Sequence, residues 1–218
     1  MNLDAKFVKF EHPLYIYFKV PDEVKLEIQH SIDTLEKNET TNANSTLAGH
    51  LEQQWHVPAT PELSKLMGTL PEYYINGGNL DRAEFAKDVY LKNNLPFKLM
   101  SYWVNYSKKG DFQPIHNHTG AFSFVIWVKI PYNIKEEYES YNSNQNCGGS
   151  FGFSYLDPRG RITSDEVIAT EWEGCFFPSW LYHKVHPFKT TDDYRISISG
   201  NVYLDGTNET SDYQTFKL

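Results

Sequence analysis

The chain has 218 residues, 40% of them hydrophobic and 16% aromatic, which excludes a disordered polymer and allows a sizeable core. A net charge of −8 argues against a broad phosphate-gripping surface, and two cysteines, Cys147 and Cys175, exclude a disulfide framework and a thiolate zinc site. No apolar run approaches the length of a membrane span, and charges interrupt the opening MNLDAKFVKFEHPLYIYF, so a soluble, cytoplasmic protein is expected.

The first hundred residues read as mixed. LYIYFKV (14–20) predicts a strand. PDEVKLEIQHSIDTLEKN (21–38) predicts a helix, with Val24, Ile28, Ile32 and Leu35 on one face and acids in its first turn. NETTNANST (38–46) is a polar loop. PELSKLMGTL (61–70) and LDRAEFAKDVYLKN (80–93) predict two further helices.

From about residue 98 the pattern becomes β-rich. KLMSYWVNYS, AFSFVIWVKIP, SFGFSYLD, RITSDEVIATEW, CFFPSW and YRISISGNVYL alternate with turns such as DPRG and EGC. Strands at this density predict a closed or double-sheeted fold, a jelly roll, with the preceding helices packed on its outer face. The expected fold class is therefore α+β, in a single domain over 1–218: a mixed part over 1–97 and a jelly-roll core over 98–218.

Four of the eight histidines fall in two clusters of this β-rich half. His116 and His118 stand two apart in QPIHNHTG, so in an extended chain they share a face and can bind one ion. Such a pair taken alone is commonly just two hydrogen-bonded imidazoles near a turn. The second cluster, FFPSWLYHKVHPF (176–188), strengthens the metal reading. His183 shares its face with Val185, and His186 shares one with Lys184. Lysine seeks water, so His183 is the inward third ligand and His186 an outer residue. Three ligands leave open positions on the ion, as a catalytic site requires.

In YRISISGNV, Arg195, Ser197 and Ser199 share one face and Ile196 and Ile198 the other. An arginine there needs an anion, either an internal acid or a bound carboxylate clasped by its fork, with Ser197 adding a bond.

Together, WVNYSKKGDFQPIHNHTGAFSFVIWVKIP (103–131) and FFPSWLYHKVHPFKTTDDYRISISGNV (176–202) resemble the non-haem iron, 2-oxoglutarate-dependent oxygenases with a double-stranded β-helix core. More narrowly, they resemble the 2-oxoglutarate oxygenases encoded by T4-like phages of marine bacteria, for which the location would be the host cytoplasm. The resemblance covers about a quarter of the chain. It implies Fe(II) held by His116, His118 and His183, and 2-oxoglutarate held by Arg195 and Ser197, with Asn105 as a further contact. It also implies O2 as co-substrate and hydroxylation of an unidentified substrate. The superfamily's usual triad is two histidines and one carboxylate, so His118 is a departure. Asp111, in a turn-like segment, is the other carboxylate at hand. Ser123, Trp127, Trp180 and Tyr182 are candidates for the walls of the site, with ordinary packing as the competing role. Two other readings stay open: a three-histidine cupin-like metalloenzyme that does not use 2-oxoglutarate, and a non-catalytic jelly roll of a virion or carbohydrate-binding module.

Overall fold

The computed structural model describes residues 15–78 and 95–205. The helix expected over 80–93 lies outside the described residues. In chain order the elements are β1 (Ile16–Lys19), α1 (Asp22–Asp33), β2 (Gln53–Val57), α2 (Pro61–Gly78), β3 (Phe97–Ser107), β4 (Gln113–His116) and β5 (Phe122–Lys129). Then come α3 (Ile134–Glu139), β6 (Phe151–Leu156), β7 (Ile162–Val167), β8 (Glu173–Pro178), β9 (Tyr182–Val185) and β10 (Arg195–Leu204). A six-stranded sheet runs β1-β8-β5-β10-β3-β2 and a four-stranded sheet runs β4-β9-β6-β7. Every strand pairing within them is antiparallel.

Without β1 and β2 at its two edges, the large sheet reads β8-β5-β10-β3 against β4-β9-β6-β7. Eight strands shared between two antiparallel sheets in this order make a jelly roll, the double-stranded β-helix. The fold is α+β, as expected.

Burial on both faces explains the apolar run of β5, interrupted only by the buried Ser123 before Lys129 ends it. Phe122, Phe124, Ile126 and Val128 face one core, shared with Val24 and Ile28 of α1 and Leu63 and Met67 of α2. Val125 and Trp127 face a second core between the sheets, with Phe151, Phe153, Cys175 and Phe177. β10 divides the same way. Ile198 and Val202 lie in the helix-side core, and Arg195, Ser197 and Ser199 line a cavity on the other face.

Three local differences from the sequence reading have clear causes. α2 runs through Pro71 to Gly78 instead of stopping at residue 70. An interior proline costs about 3 kcal/mol. Beyond it Tyr74 and Ile75 are buried, and each such side chain returns roughly 1.5–3 kcal/mol. Glu27 of α1 caps the start of α2, its Oε2 accepting from the Glu62 and Leu63 amides at 2.9 and 3.2 Å. β2 (QQWHV), in a stretch to which the sequence assigned no element, becomes a strand by pairing with β3. α3 was not anticipated; Asn133 caps it through its side chain.

α3 also carries a fully buried acid. Glu137 accepts hydrogen bonds from the Lys189 and Thr190 amides at 2.7 and 3.0 Å and from Thr190 Oγ1 at 2.6 Å. These bonds pin the loop that leads into Arg195. Glu137→Ala is expected to lower unfolding free energy by about 3 kcal/mol, because two amides and the Thr190 hydroxyl lose a charged, fully buried acceptor. Urea denaturation checks this, and a loss below about 0.5 kcal/mol would show the amides satisfied otherwise. Among the described residues, no helix is long and apolar enough to cross a membrane.

Candidate active site

β4 and β9 are paired so that His116 stands opposite His183. Their rings are 4.3 Å apart between centroids. His118 lies two residues past the last paired position of β4 and outside the strand. Its backbone amide donates to Ser179 O at 2.9 Å, which fixes the turn on which it sits. Its ring centroid lies 5.0 Å from those of both other histidines. One ligand atom from each of the three lies within 4.8 Å of the others.

Two of the three rings are oriented by the backbone. His116 Nδ1 donates to Pro114 O at 2.7 Å and His183 Nδ1 to Leu181 O at 2.9 Å. A carbonyl can only accept, so these nitrogens carry the protons and each Nε2 keeps its lone pair for a cation. Burial lowers the pKa of His116, partly opposed by the bond to Pro114. Burial and the neighbouring His116 bring His118 down to about 4. His183 is held well below the ordinary value by burial and then by the two other imidazoles. All three are therefore neutral at neutral pH, the form that binds metal. No carboxylate belongs to the cluster among the described residues. A divalent ion held here keeps its full charge and attracts an anionic co-ligand.

The ring of His183 is packed between Phe151 and Phe177, with centroids 5.4 and 4.8 Å away, and Trp103 lies 5.7 Å from His118. The same cavity extends to Arg195, which is 3% exposed. Arg195 Nη1 donates to His186 O at 3.2 Å, Gly149 O at 3.3 Å and Tyr132 Oη at 3.4 Å. Its guanidinium carbon lies 5.2 Å from the centre of the Phe188 ring. Nη2 is buried without a hydrogen-bond partner. Among the described residues, no acid forms an ion pair with Arg195. The cradle depends on Gly149, at φ +74°, where a Cβ would come within 2.7 Å of the Tyr132 ring.

Asn105 and Ser197 face each other across β3 and β10 and line the cavity, as do Trp103 and Trp127. Other candidates lie elsewhere. Ser123 is buried but bonds to Ser179 Oγ at 3.0 Å and Asn201 Oδ1 at 2.8 Å. Trp180 and Tyr182 are exposed and do not line the cavity. Asp111 Oδ2 accepts from the Lys108 amide within its own turn. On the outer side, His186 Nε2 lies 3.2 Å from Glu166 Oε2, and Lys184 reaches the same acid. For Glu166, burial raises the pKa, but His186, Ser150 and Lys184 outweigh it and hold the acid at about 2. Leu47, Ala48 and Gln113 also line the cavity, and Tyr132 braces the arginine. Nothing local in the sequence marks these four: Leu47 and Ala48 follow a polar loop, Gln113 opens a short strand and Tyr132 is a lone tyrosine after β5.

Residues 101–201 match a family model described as "Putative 2OG-Fe(II) oxygenase". The match contains all three histidines, Arg195, Ser197 and Asn105. No curated protein matches the chain. Among solved structures, an oxidoreductase of the 2OG-Fe(II) oxygenase family from Burkholderia pseudomallei is 13% identical, covering 87% of this chain and 84% of its own at a TM-score of 0.47. A prolyl-4-hydroxylase from Pseudomonas putida is 15% identical, covering 88% and 93% at 0.47. HygX from Streptomyces hygroscopicus, solved with nickel and 2-oxoglutarate, is 9% identical, covering 89% and 84% at 0.48.

Proposed function

We propose that the protein is a non-haem iron(II) oxygenase that couples oxidative decarboxylation of 2-oxoglutarate to hydroxylation of a second substrate. One observation carries this reading: three neutral imidazoles converge in the same cavity as a buried guanidinium that has no acid partner among the described residues. A cation site and an anion site in one pocket suit a dicarboxylate that also chelates a metal. The family-model match over 101–201 supports the same reading.

His116, His118 and His183 would hold the iron. Arg195 would take the distal carboxylate through its unpaired Nη2, and Ser197 and Asn105 would line the path between the two ends. Iron(II), when bound with 2-oxoglutarate and O2, supplies the oxidising chemistry: one oxygen atom goes to succinate as CO2 leaves, and the other to a C–H bond of the substrate. The protein's own part is to keep the imidazoles neutral, orient the Nε2 atoms of His116 and His183 and hold Arg195 at a fixed place. The aromatic rings around His183 limit water at the ligands.

Anaerobic titration of metal-free protein with iron(II) and then 2-oxoglutarate tests the reading. A visible charge-transfer band is expected only when both are present. Folded protein that binds iron but never develops the band would overturn it, and would favour a three-histidine metalloenzyme that does not use 2-oxoglutarate.

A further inference from the structure

Gln54 is the second residue of β2 and is completely buried. It lies outside residues 101–201, so the family match does not bear on it. Across the sheet it stands opposite Asn105, which in turn stands opposite Ser197. The three polar side chains thus form one row over β2, β3 and β10, next to the site but reaching it only at Asn105 and Ser197.

Gln54 Nε2 donates to Asn105 Oδ1 at 2.8 Å. In this arrangement the Asn105 amide oxygen faces Gln54. With its oxygen occupied, Nδ2 must turn the other way, toward Ser197 and Ser199, both of which line the cavity. The hydroxyls lie 3.4 and 3.3 Å from Nδ2, long for hydrogen bonds. Both N–H groups of Nδ2 are thus turned to the cavity side, in long bonds for which a bound carboxylate oxygen would compete. Holding the amide this way leaves Gln54 Oε1 buried without a partner. The loop above fixes Gln54 in turn: its backbone N–H donates to Asn44 Oδ1 at 2.8 Å, and a Cβ on Gly49 would lie 3.2 Å from its carboxamide.

We propose that Gln54 is a positioning residue that locks the Asn105 carboxamide with its NH2 toward the cavity, so that Asn105 and Arg195 both present donors to one bound dicarboxylate. This rests on the reading given under Proposed function. Asn105 would be the binding group, and Gln54 acts only through it.

Two substitutions test this, with iron(II) affinity and 2-oxoglutarate affinity measured separately under anaerobic conditions. Gln54→Leu keeps the volume and removes the donor. The 2-oxoglutarate Kd is expected to rise about tenfold, the worth of one preorganised hydrogen bond, with iron(II) affinity within about twofold of wild type. Gln54→Glu places an acceptor where Nε2 donated. When ionised, it accepts from Asn105 Nδ2 and turns Oδ1 toward the cavity; when protonated, it donates as Gln54 does. Its 2-oxoglutarate affinity is therefore expected to be weakest near about pH 8.5 and to recover toward about pH 6, while that of wild type changes little.

Wild-type affinity in both variants would overturn the inference alone. So would equal loss of iron(II) and 2-oxoglutarate, or a pH profile for Gln54→Glu parallel to wild type. Wild type that binds iron(II) but not 2-oxoglutarate would overturn the functional reading and this inference with it.

Discussion

His183→Ala is expected to abolish the iron(II)–2-oxoglutarate charge-transfer band and to weaken iron(II) binding by more than about 100-fold, beyond the 10–100-fold cost of disturbing a ligand's outer partner. His183 is the most deeply buried of the three candidate ligands and is held between aromatic rings, so it has little freedom to be replaced by water. The same substitution empties core volume, and metal-free protein should lose about 2–4 kcal/mol of stability. His118 separates the two effects. It sits on a turn outside the strand, and His118→Ala should lose iron with a smaller loss of metal-free stability. His118→Asp supplies a carboxylate in place of an imidazole and makes a two-histidine, one-carboxylate set, which suits iron(II). It should retain iron where His118→Ala does not. Isothermal titration and thermal melting of the three variants provide the check. Iron affinity unchanged in both His183→Ala and His118→Ala would exclude the cluster as the metal site.

Legibility in the sequence followed the range of the interactions. β5 could be read because both of its faces are buried, which leaves an apolar run with no polar interruption but Ser123. Strand parity separated His183 from His186, and the structure puts the first in the core and the second beside Glu166. The pairing of His116 with His118 was foreseen on the premise of a continuous strand. The chain in fact leaves the strand after His116, and the Ser179 carbonyl restores the convergence. Gln54 was opaque. A glutamine in QQWHV reads as surface, and its burial follows from a partner 51 residues away. Pro71 misplaced the end of α2, because local propensity does not register the apolar face beyond it. For Arg195, sequence left an internal acid and a bound anion open, and the structure gives it neutral acceptors and no acid partner among the described residues.

Arg195→Met is expected to raise the 2-oxoglutarate Kd by about 100-fold or more, since truncating one partner of a buried charged pair costs several kcal/mol. Iron(II) affinity should stay unchanged, because the arginine is no part of the histidine cluster. The decisive comparison is the stability of metal-free protein. A buried arginine that served the fold would be paired with an acid, and removing it would strand that acid at a cost of about 3–5 kcal/mol. Arg195 has instead three neutral acceptors at 3.2–3.4 Å and an Nη2 with none. Methionine fills similar volume and removes a buried charge that no acid among the described residues neutralises, so the melting temperature of metal-free Arg195→Met should match or exceed that of wild type. Adding saturating 2-oxoglutarate and iron(II) should then raise the melting temperature of wild type well above that of the variant, because only wild type gains binding energy from the anion. If metal-free Arg195→Met is strongly destabilised and still binds 2-oxoglutarate normally, the guanidinium is structural and the co-substrate must be held elsewhere.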